Sequence, residues 1–207
     1  IGAGYNKFAV ESFLDEIAHA RKIDPLALRL ELTQNDPRAK AVLSEVAKMS
    51  DWKRRRNGRA LGLAFADYHG SLSAGVVEVS LHRSSGKIKV HNMWLAVDPG
   101  LAVQPTNVLA QLEGAAVFGL SVALLEELTI QNGAPVQSNF HEYPVLRMSD
   151  MPEIHTKLVA SNAPPTGVGE IGVLPVAPAI ANAVFQLTGK RLRALPMSPE
   201  RVKKALA

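Results

Sequence analysis

The fold is decided by the stretch Val76-Val77-Glu78-Val79-Ser80-Leu81-His82-Arg83-Ser84-Ser85-Gly86-Lys87-Ile88-Lys89-Val90-His91. Apolar and polar residues alternate on both sides of Ser84-Ser85-Gly86. This is the pattern of two half-buried strands joined by a turn. We therefore predict a β-hairpin from about residue 71 to 97, and we expect residues 61–67 to add a third strand.

Helices are predicted before the hairpin. Asp24-Pro25 and Asp36-Pro37 each place an N-cap residue before a proline at the first helical position, so each predicts a helix start. Residues 5–22 are predicted to form an amphipathic helix. Its buried face is expected to carry Val10, Phe13, Leu14 and Ile17, and its exposed side Glu11, Asp15 and Glu16.

The elements after the hairpin follow no regular β–α–β rhythm. They are predicted to be a helix from Pro105 to about Leu125, strands at 127–131 and 154–160, a helix that ends at Gly189, and a short helix that starts after Ser198. Because helices and antiparallel strands are interleaved, the predicted class is α+β. We expect a division near residue 58, with a helical arm at 1–58 and a sheet–helix body at 59–207.

Composition excludes several classes of protein. Of the 207 residues, 47% are hydrophobic and 20% are charged, which excludes disordered and collagen-like chains. The absence of cysteine excludes disulfides, thiolate zinc sites, iron–sulfur ligation and a cysteine nucleophile. The histidines lack the spacing of metal ligands, so no metal ligand is predicted. The compartment stays open.

One uncharged run, residues 171–189, is long enough to raise the question of a membrane span. It contains Pro175 and Pro178, and only about its second half can be helical. A transmembrane helix needs ~20 predominantly apolar residues. We therefore predict a buried helix of a soluble protein at this position.

The densest cluster of glycine and proline lies at residues 164–172, Pro-Pro-Thr-Gly-Val-Gly-Glu-Ile-Gly. Glycines let backbone N–H groups approach a ligand closely. A carboxylate at Glu170, between such glycines and an apolar run, would be partly desolvated and suited to accept a proton. The alternative is a tight turn that carries an exposed glutamate.

Two other groups of polar residues allow a functional and a structural interpretation. Gln111 and Glu113 lie at the start of an otherwise uncharged helix, where they either face a ligand or face solvent. The basic run Lys53-Arg54-Arg55-Arg56 could contact phosphates. Such runs are more often solvated helix ends, so no nucleic-acid partner is predicted.

Several motifs, in this order, resemble the xanthine oxidase family of molybdenum hydroxylases across essentially the whole chain. They are residues 8–16 (FAVESFLDE), residues 111–114 (QLEG), residues 138–148 (SNFHEYPVLRM), residues 167–170 (GVGE), residues 175–183 (PVAPAIANA) and residues 188–193 (TGKRLR). Residues 138–148 are most similar to isoquinoline 1-oxidoreductase β-subunits and related bacterial aldehyde dehydrogenases. The chain thus looks like the C-terminal part of a molybdopterin-binding large subunit.

The resemblance implies a role for each matching residue. Glu170 would be the catalytic base, which activates a water-derived oxygen for attack on an electrophilic carbon of an aldehyde or N-heteroaromatic substrate. Gln111 would hydrogen-bond the molybdenum–pterin cofactor, and the backbone of Gly167, Val168 and Gly169 would face it. In this family a proline often follows the glutamate, whereas Ile171 follows it here; that difference concerns the rigidity of the local backbone.

The resemblance also implies partners. The cofactor would be molybdopterin, in its cytosine dinucleotide form, and iron–sulfur clusters would lie on a small partner subunit. An upstream part of the same large subunit would complete the site, so the chain alone is expected to be inactive. By resemblance, the compartment would be bacterial cytoplasm or periplasm. The competing hypothesis is a binding or structural module of the same fold that carries no cofactor.

Overall fold

A four-stranded sheet forms the centre of the protein. The computed structural model describes residues 2–54 and 56–207. The strands are β1 (Ala60–Tyr68), β2 (Ser71–His82), β3 (Lys87–Asp98), β4 (Ile130–Gln131), β5 (Ala134–Pro135) and β6 (Glu153–Leu158). The central sheet has the order β1-β2-β3-β6, and β4 pairs with β5 in a separate ribbon.

Helices cover this sheet and confirm the α+β class. In the described part of the chain they are α1 (Gly2–Arg21), α2 (Pro25–Leu32), α3 (Pro37–Met49), α4 (Pro105–Leu124), α5 (Val176–Thr188) and α6 (Pro199–Leu206). Two short 3₁₀ turns, Phe140–Glu142 and Met148–Asp150, lie in the long connection between α4 and β6.

The predicted hairpin and third strand are confirmed. β2 and β3 pair antiparallel, with Leu72 opposite Asp98, and β1 pairs antiparallel with β2. Gly86 closes the hairpin turn with a φ of 76°, in the left-handed region that suits glycine. One pair differs from the antiparallel arrangement that we expected, because β3 and β6 run parallel. The chain crosses through α4 between these strands, as a parallel connection requires.

The capping signals in the sequence are confirmed as well. Asp24 Oδ1 accepts hydrogen bonds from the N–H groups of Leu26 and Ala27, at 2.9 and 3.1 Å. Asp36 caps α3 in the same way. Gly189 ends α5 with a φ of 71° and donates its N–H to Phe185 O at 2.7 Å. Local side-chain chemistry therefore sets these helix ends.

The strand expected at 127–131 is much shorter in the structure. It is reduced to the two residues of β4, which pair with β5 across the turn Asn132-Gly133. Both turn residues have positive φ, 52° and 80°, which is typical of a tight hairpin turn. The preceding residue Leu128 is 56% exposed, so no core holds a longer strand there.

Each face of the sheet has its own core. On one face, α3 residues such as Val42 and Leu43 pack against Leu72 and Val76 of β2. On the other face, α4, α5 and α6 pack against a set that includes Val77 and Met93, and Phe8 of α1 joins them. The division near residue 58 stays a prediction; segments on either side of it share both cores.

Helix α1 does not bury the face that we expected. Glu11 and Asp15 are each 2% exposed, whereas Val10 and Phe13 are 49% and 60% exposed. The prediction of the inward face was wrong, because hydrophobic periodicity takes no account of charge partners. Burying a carboxylate is favourable only when a cation or several donors satisfy it.

Two arginines satisfy these carboxylates. Arg29 of α2 donates its Nε–H to Glu11 Oε2 at 2.7 Å, and both side chains are almost fully buried. The same oxygen accepts the N–H of Phe65 in β1 at 2.8 Å. Arg191, after α5, donates to Asp15 Oδ2 at 2.6 Å and lies over the Phe185 ring. These bonds fasten α1 to α2, to β1 and to the segment after α5.

Among the described residues, α4 is the one helix whose length and apolar composition would suffice to cross a membrane. In the protein it packs against β3, β6 and α5. The uncharged run at 171–189 contains α5, a shorter apolar helix that is buried over most of its length, in agreement with the prediction for that run.

Replacing Arg29 by alanine is expected to lower the free energy of unfolding by about 3–5 kcal/mol, because the buried charge of Glu11 would lose its partner. Arg21→Ala is the matched control. Arg21 pairs with Glu31 at 3.2 Å with about half of each side chain exposed, and exposed pairs contribute about 0–1 kcal/mol. Urea unfolding of both variants measures the difference. Equal losses would contradict the assignment of Glu11–Arg29 as a structural pair.

Candidate functional site

The Gly167–Glu170 segment lies in the connection that leads from β6 to α5. Its start is fastened to the turn after β3, since Pro99 O accepts the N–H of Thr166 at 2.8 Å and Leu101 donates its N–H to Ala163 O at 2.9 Å. Gly100 lies so close to this connection that a Cβ at its position would meet Pro164 O at 2.1 Å. Glycine is required there for contact between two backbones.

The structure brings Gln111 to this connection. Gln111 is exposed in the second turn of α4, and its Nε2 donates to Gly169 O at 3.2 Å. The two residues share a groove of about 480 Å³ with Val168 and with the turn after β3. Gln111 still has its side-chain carbonyl and a second N–H free for a ligand. Glu113 points elsewhere and accepts from Thr156 Oγ1 at 3.3 Å.

Glycine at positions 167, 169 and 114 is not explained by the fold of this chain. None of the three has a positive φ, and a Cβ added at each would meet no described atom within 4 Å. Gly114 even lies inside α4, where glycine costs roughly 0.5–1 kcal/mol relative to alanine. Space at these positions is therefore kept for something outside the described chain.

The backbone of the same segment offers free donors. Within residues 2–54 and 56–207, the N–H groups of Gly167, Val168 and Gly169 donate to no protein acceptor. Consecutive free N–H groups beside an amide side chain suit an anionic, oxygen-rich ligand. The residues present thus fit one side of a phosphate-bearing pterin cofactor. The described residues contain no cluster of three His, Asp or Glu side chains that could hold a metal by themselves.

Glu170 faces a second opening. It lines a cleft of about 680 Å³ together with Phe118 and Tyr143. We expected its carboxylate to be partly desolvated, and within this chain it is not, because Glu170 is exposed. Its carboxylate accepts no hydrogen bond from the described residues. Desolvation would need a further surface over the cleft.

The exposed stripe of α4 connects the two openings. Gln111, Gly114 and Phe118 are separated by three and four residues, so they lie on one face of the helix, and all three are exposed. Gln111 lines the groove and Phe118 lines the cleft. Gly169 and Glu170 accompany this stripe on the neighbouring connection. The predicted cofactor-facing residues and the predicted base therefore form one continuous surface.

Sequence reasoning missed a tyrosine–carboxylate pair in the cleft. Tyr143 Oη donates to Glu126 Oε2 at 2.9 Å. Burial raises the pKa of Tyr143, and the hydrogen bond and the negative charge of Glu126 raise it further. Tyr143 lies inside the segment 138–148 that carried the resemblance, but no spacing in the sequence pointed to Glu126 as its partner.

The basic run is used within the protein as far as the structure describes it. Arg56 Nε contacts Glu78 Oε1 at 2.8 Å, and the guanidinium lies 5.8 Å from the centre of the Trp94 ring. Arg55 lies outside the described residues. The contacts of Arg56 favour the structural interpretation of this run.

Comparison with known proteins identifies the family. A family model described as a molybdopterin cofactor-binding domain matches residues 14–152. The chain is also 46% identical, over 96% of its length, to the β-subunit of isoquinoline 1-oxidoreductase from Brevundimonas diminuta. The chain belongs to the xanthine oxidase family of molybdenum hydroxylases. The matched range includes Gln111 and Gly114, and the Gly167–Glu170 segment lies beyond it.

Other members of this family align along the whole chain. One of the subunits of nicotinate dehydrogenase from Pseudomonas putida is 32% identical over 100% of it. A membrane-bound aldehyde dehydrogenase from Gluconacetobacter polyoxogenes, whose name carries pyrroloquinoline quinone, is 34% identical over 100% of it. The chain covers 26% of the isoquinoline protein, 19% of the nicotinate protein and 29% of the aldehyde dehydrogenase. It thus spans less than a third of the curated relatives.

Solved structures of the family share the fold. Quinoline 2-oxidoreductase from Pseudomonas putida superposes with a TM-score of 0.61 and 21% identity, over 66% of this chain and 18% of that one. The aldehyde oxidoreductase from Desulfovibrio gigas superposes with a TM-score of 0.57 and 25% identity, over 66% and 15%.

Asp98, which ends β3 beside the candidate site, supplies a pH test. Arg38 of α3 binds both of its carboxylate oxygens at 2.8 Å, and Gly100 donates its N–H to Oδ1 at 2.8 Å. Burial by itself would raise the pKa of Asp98, but the hydrogen bonds from Arg38 and Gly100 and the charge of Arg38 outweigh it, and the pKa is lowered. A lowered folded-state pKa stabilises the protein above the unfolded value of ~3.9, and the gain is lost as pH falls through the folded value.

Asp98→Asn is therefore expected to lower the free energy of unfolding most above about pH 5, with a difference from wild type that shrinks as pH falls below ~4. Urea unfolding between pH 3 and 7 measures this difference. Asp67→Asn serves as the control, because Asp67 is 63% exposed in its pair with Lys7. A loss for Asp98→Asn that did not vary with pH would contradict the role of its charge.

Proposed function

We propose that this chain supplies one side of the cofactor site and the general base of a molybdenum hydroxylase. The observation that carries the proposal is the surface formed by Gln111, Gly114 and the Gly167–Glu170 segment. Three glycines on it face open space, consecutive N–H groups on it are free, and an unpaired carboxylate lies at its end. Family membership adds the identity of the ligand, a molybdenum–pterin cofactor.

In this proposal Gln111 and the N–H groups of Gly167, Val168 and Gly169 hold oxygen atoms of the cofactor. The absence of a Cβ at positions 167 and 169 lets the cofactor approach the backbone closely. When bound, the cofactor supplies oxygen transfer from water and accepts the two electrons that leave the substrate. Glu170 removes a proton so that a water-derived oxygen becomes nucleophilic.

The proposed site needs further walls. Tyr5, Phe118 and Leu128 line the cleft beside Glu170 and are 70%, 58% and 56% exposed. Clustered apolar side chains of this kind commonly mark an interface. An upstream part of the same large subunit would cover them, and it would at the same time withdraw Glu170 from water, which makes a carboxylate a stronger base. The chain by itself would then be inactive.

The substrate class, the cofactor form and the partner subunit follow the relatives. Their names include isoquinoline, nicotinate and aldehyde as the compounds oxidised, so we propose an aldehyde or an N-heteroaromatic compound as substrate. The cytosine dinucleotide form of molybdopterin and an iron–sulfur small subunit complete the proposal. A non-catalytic module of the same fold would have no use for open space at Gly167 and Gly169, which favours the catalytic hypothesis.

Glu170→Gln in the complete enzyme is expected to lower kcat by about 10²–10⁴-fold, the range of a positioned general base, with an unchanged molybdenum content. The charge is lost, but the neighbouring cofactor contacts are made by backbone and by Gln111. Steady-state kinetics and metal and pterin analysis on one preparation measure both quantities. Near-normal turnover at full molybdenum content would show that Glu170 is not the base. Loss of metal together with activity would show a structural role.

The control for this test should be Glu153→Gln, which is expected to leave turnover unchanged. Glu153 has an 80% exposed side chain at the start of β6. Glu142, which sequence alone suggests as a neutral control, is unsuitable. Its carboxylate accepts the N–H groups of Ser138 and Asn139 and the hydroxyl of Ser138, so its replacement would disturb the turn at 138–142.

Gly114→Ala tests the cofactor-facing surface without touching the base. In the purified chain the alanine is expected to raise the free energy of unfolding by about 0.5–1 kcal/mol, because it favours the helix. In the complete subunit it is expected to lower the molybdenum content, because the methyl group would occupy the open space. Thermal unfolding and metal analysis measure these opposite effects. A stabilised subunit with full molybdenum content would place Gly114 outside the cofactor contact.

A further inference from the structure

One row of side chains on β2 lies directly beneath the connection that carries Glu170. Ser71, Ser73 and Gly75 alternate along the strand, so they share one face of the sheet. Ser71 contacts residues 166 and 167, and Ser73 contacts residue 171. A Cβ at Gly75 would meet the Pro175 ring at 3.1 Å. The row therefore follows the connection from its middle to the start of α5.

Both serine hydroxyls donate to backbone carbonyls of the connection. Ser71 Oγ lies 2.6 Å from Gly167 O, and Ser73 Oγ lies 2.8 Å from Ile171 O. A carbonyl can only accept, so each serine must be the donor. Thr166 Oγ1, 2.6 Å from Ser71 Oγ and 2.8 Å from Pro99 O, then donates to one of these two oxygens. Both serines are completely buried, so no water competes for these bonds.

Glu170 lies between two carbonyls that are held from different elements. The preceding carbonyl, Gly169 O, accepts from Gln111 of α4. The following one, Ile171 O, accepts from Ser73 of β2. The carbonyl of Glu170 itself accepts the N–H of Val173 at 2.9 Å. The backbone on both sides of the carboxylate is thus fixed, although its side chain is free.

We infer that Ser73, with Ser71 beside it, is a positioning residue for Glu170 and acts through the backbone of residues 167–171. The inference rests on the proposed function of Glu170 as the base. Displacing a catalytic group by about 1 Å can cost on the order of 10²-fold in rate. A hydroxyl that fixes the neighbouring carbonyl can therefore affect turnover without contacting cofactor or substrate.

The test uses the complete, molybdenum-loaded enzyme with Ser73→Ala and Ser73→Cys. Cysteine fills the space of the serine but is a weak donor. The expected result is a kcat per molybdenum that falls about 10–100-fold in Ser73→Ala, with Ser73→Cys between alanine and wild type and with KM little changed. Amide hydrogen exchange in residues 166–173 is expected to become faster in the same order.

Ser80→Ala is the matched control. Ser80 lies on the same strand, and its hydroxyl contacts His91 Nε2 at 2.7 Å, away from the connection. Its replacement is expected to leave kcat and the exchange of residues 166–173 unchanged. Equal losses in Ser80→Ala and Ser73→Ala would show a general effect on the strand and would overturn the inference.

Other outcomes separate the inference from the proposed function. If Ser73→Cys equals wild type, side-chain volume matters and the donor role is wrong. If Ser73→Ala keeps its kcat while Glu170→Gln loses turnover, the base assignment stands and the positioning role fails. If Glu170→Gln keeps its turnover, the proposed function fails first. Should Ser73→Ala not fold, Ser71→Ala, which removes the donor to Gly167 O, decides the question by the same measurements.

Discussion

Burial of β2 on both faces is the constraint on which the rest of the structure depends. Residues 71–79 of this strand are all buried, with α3 on one side and α4 and α5 on the other. A polar side chain on such a strand must find a partner inside the protein. Ser71 and Ser73 find theirs in the connection above them, and Glu78 finds its partners in Arg56, Arg59 and Asn92. The need to satisfy one strand thus fixes the loop that carries the candidate base.

Elements that local chemistry determines could be predicted from the sequence. The helix starts at Asp24 and Asp36, the end of α5 at Gly189 and the hairpin around Gly86 depend on capping groups and turn residues within a few positions. The sequence also singled out Gln111 and the Gly167–Glu170 segment, and the structure brings these together through the bond from Gln111 to Gly169 O.

Features that depend on distant partners could not be predicted in this way. The buried face of α1 is set by Arg29 and Arg191, which no periodicity within α1 reveals. The parallel pairing of β6 depends on the crossing through α4, and the bond from Tyr143 to Glu126 joins residues from unrelated segments. The exposure of Glu170 was missed for a different reason: a local pattern of glycines says nothing about which other surface covers the carboxylate.

The ion pairs of α1 have a consequence for the order of events during synthesis. Asp15 and Glu16 pair with Arg191 and Arg193, across separations of 176 and 177 residues. Contacts between residues so far apart form late, because closing a long loop costs entropy before the contact repays it. On the ribosome, α1 emerges well before the arginines that neutralise its inward face. Until they follow, its carboxylates have reason to stay in water, which delays docking of the helix and leaves the core beneath it accessible to chaperones.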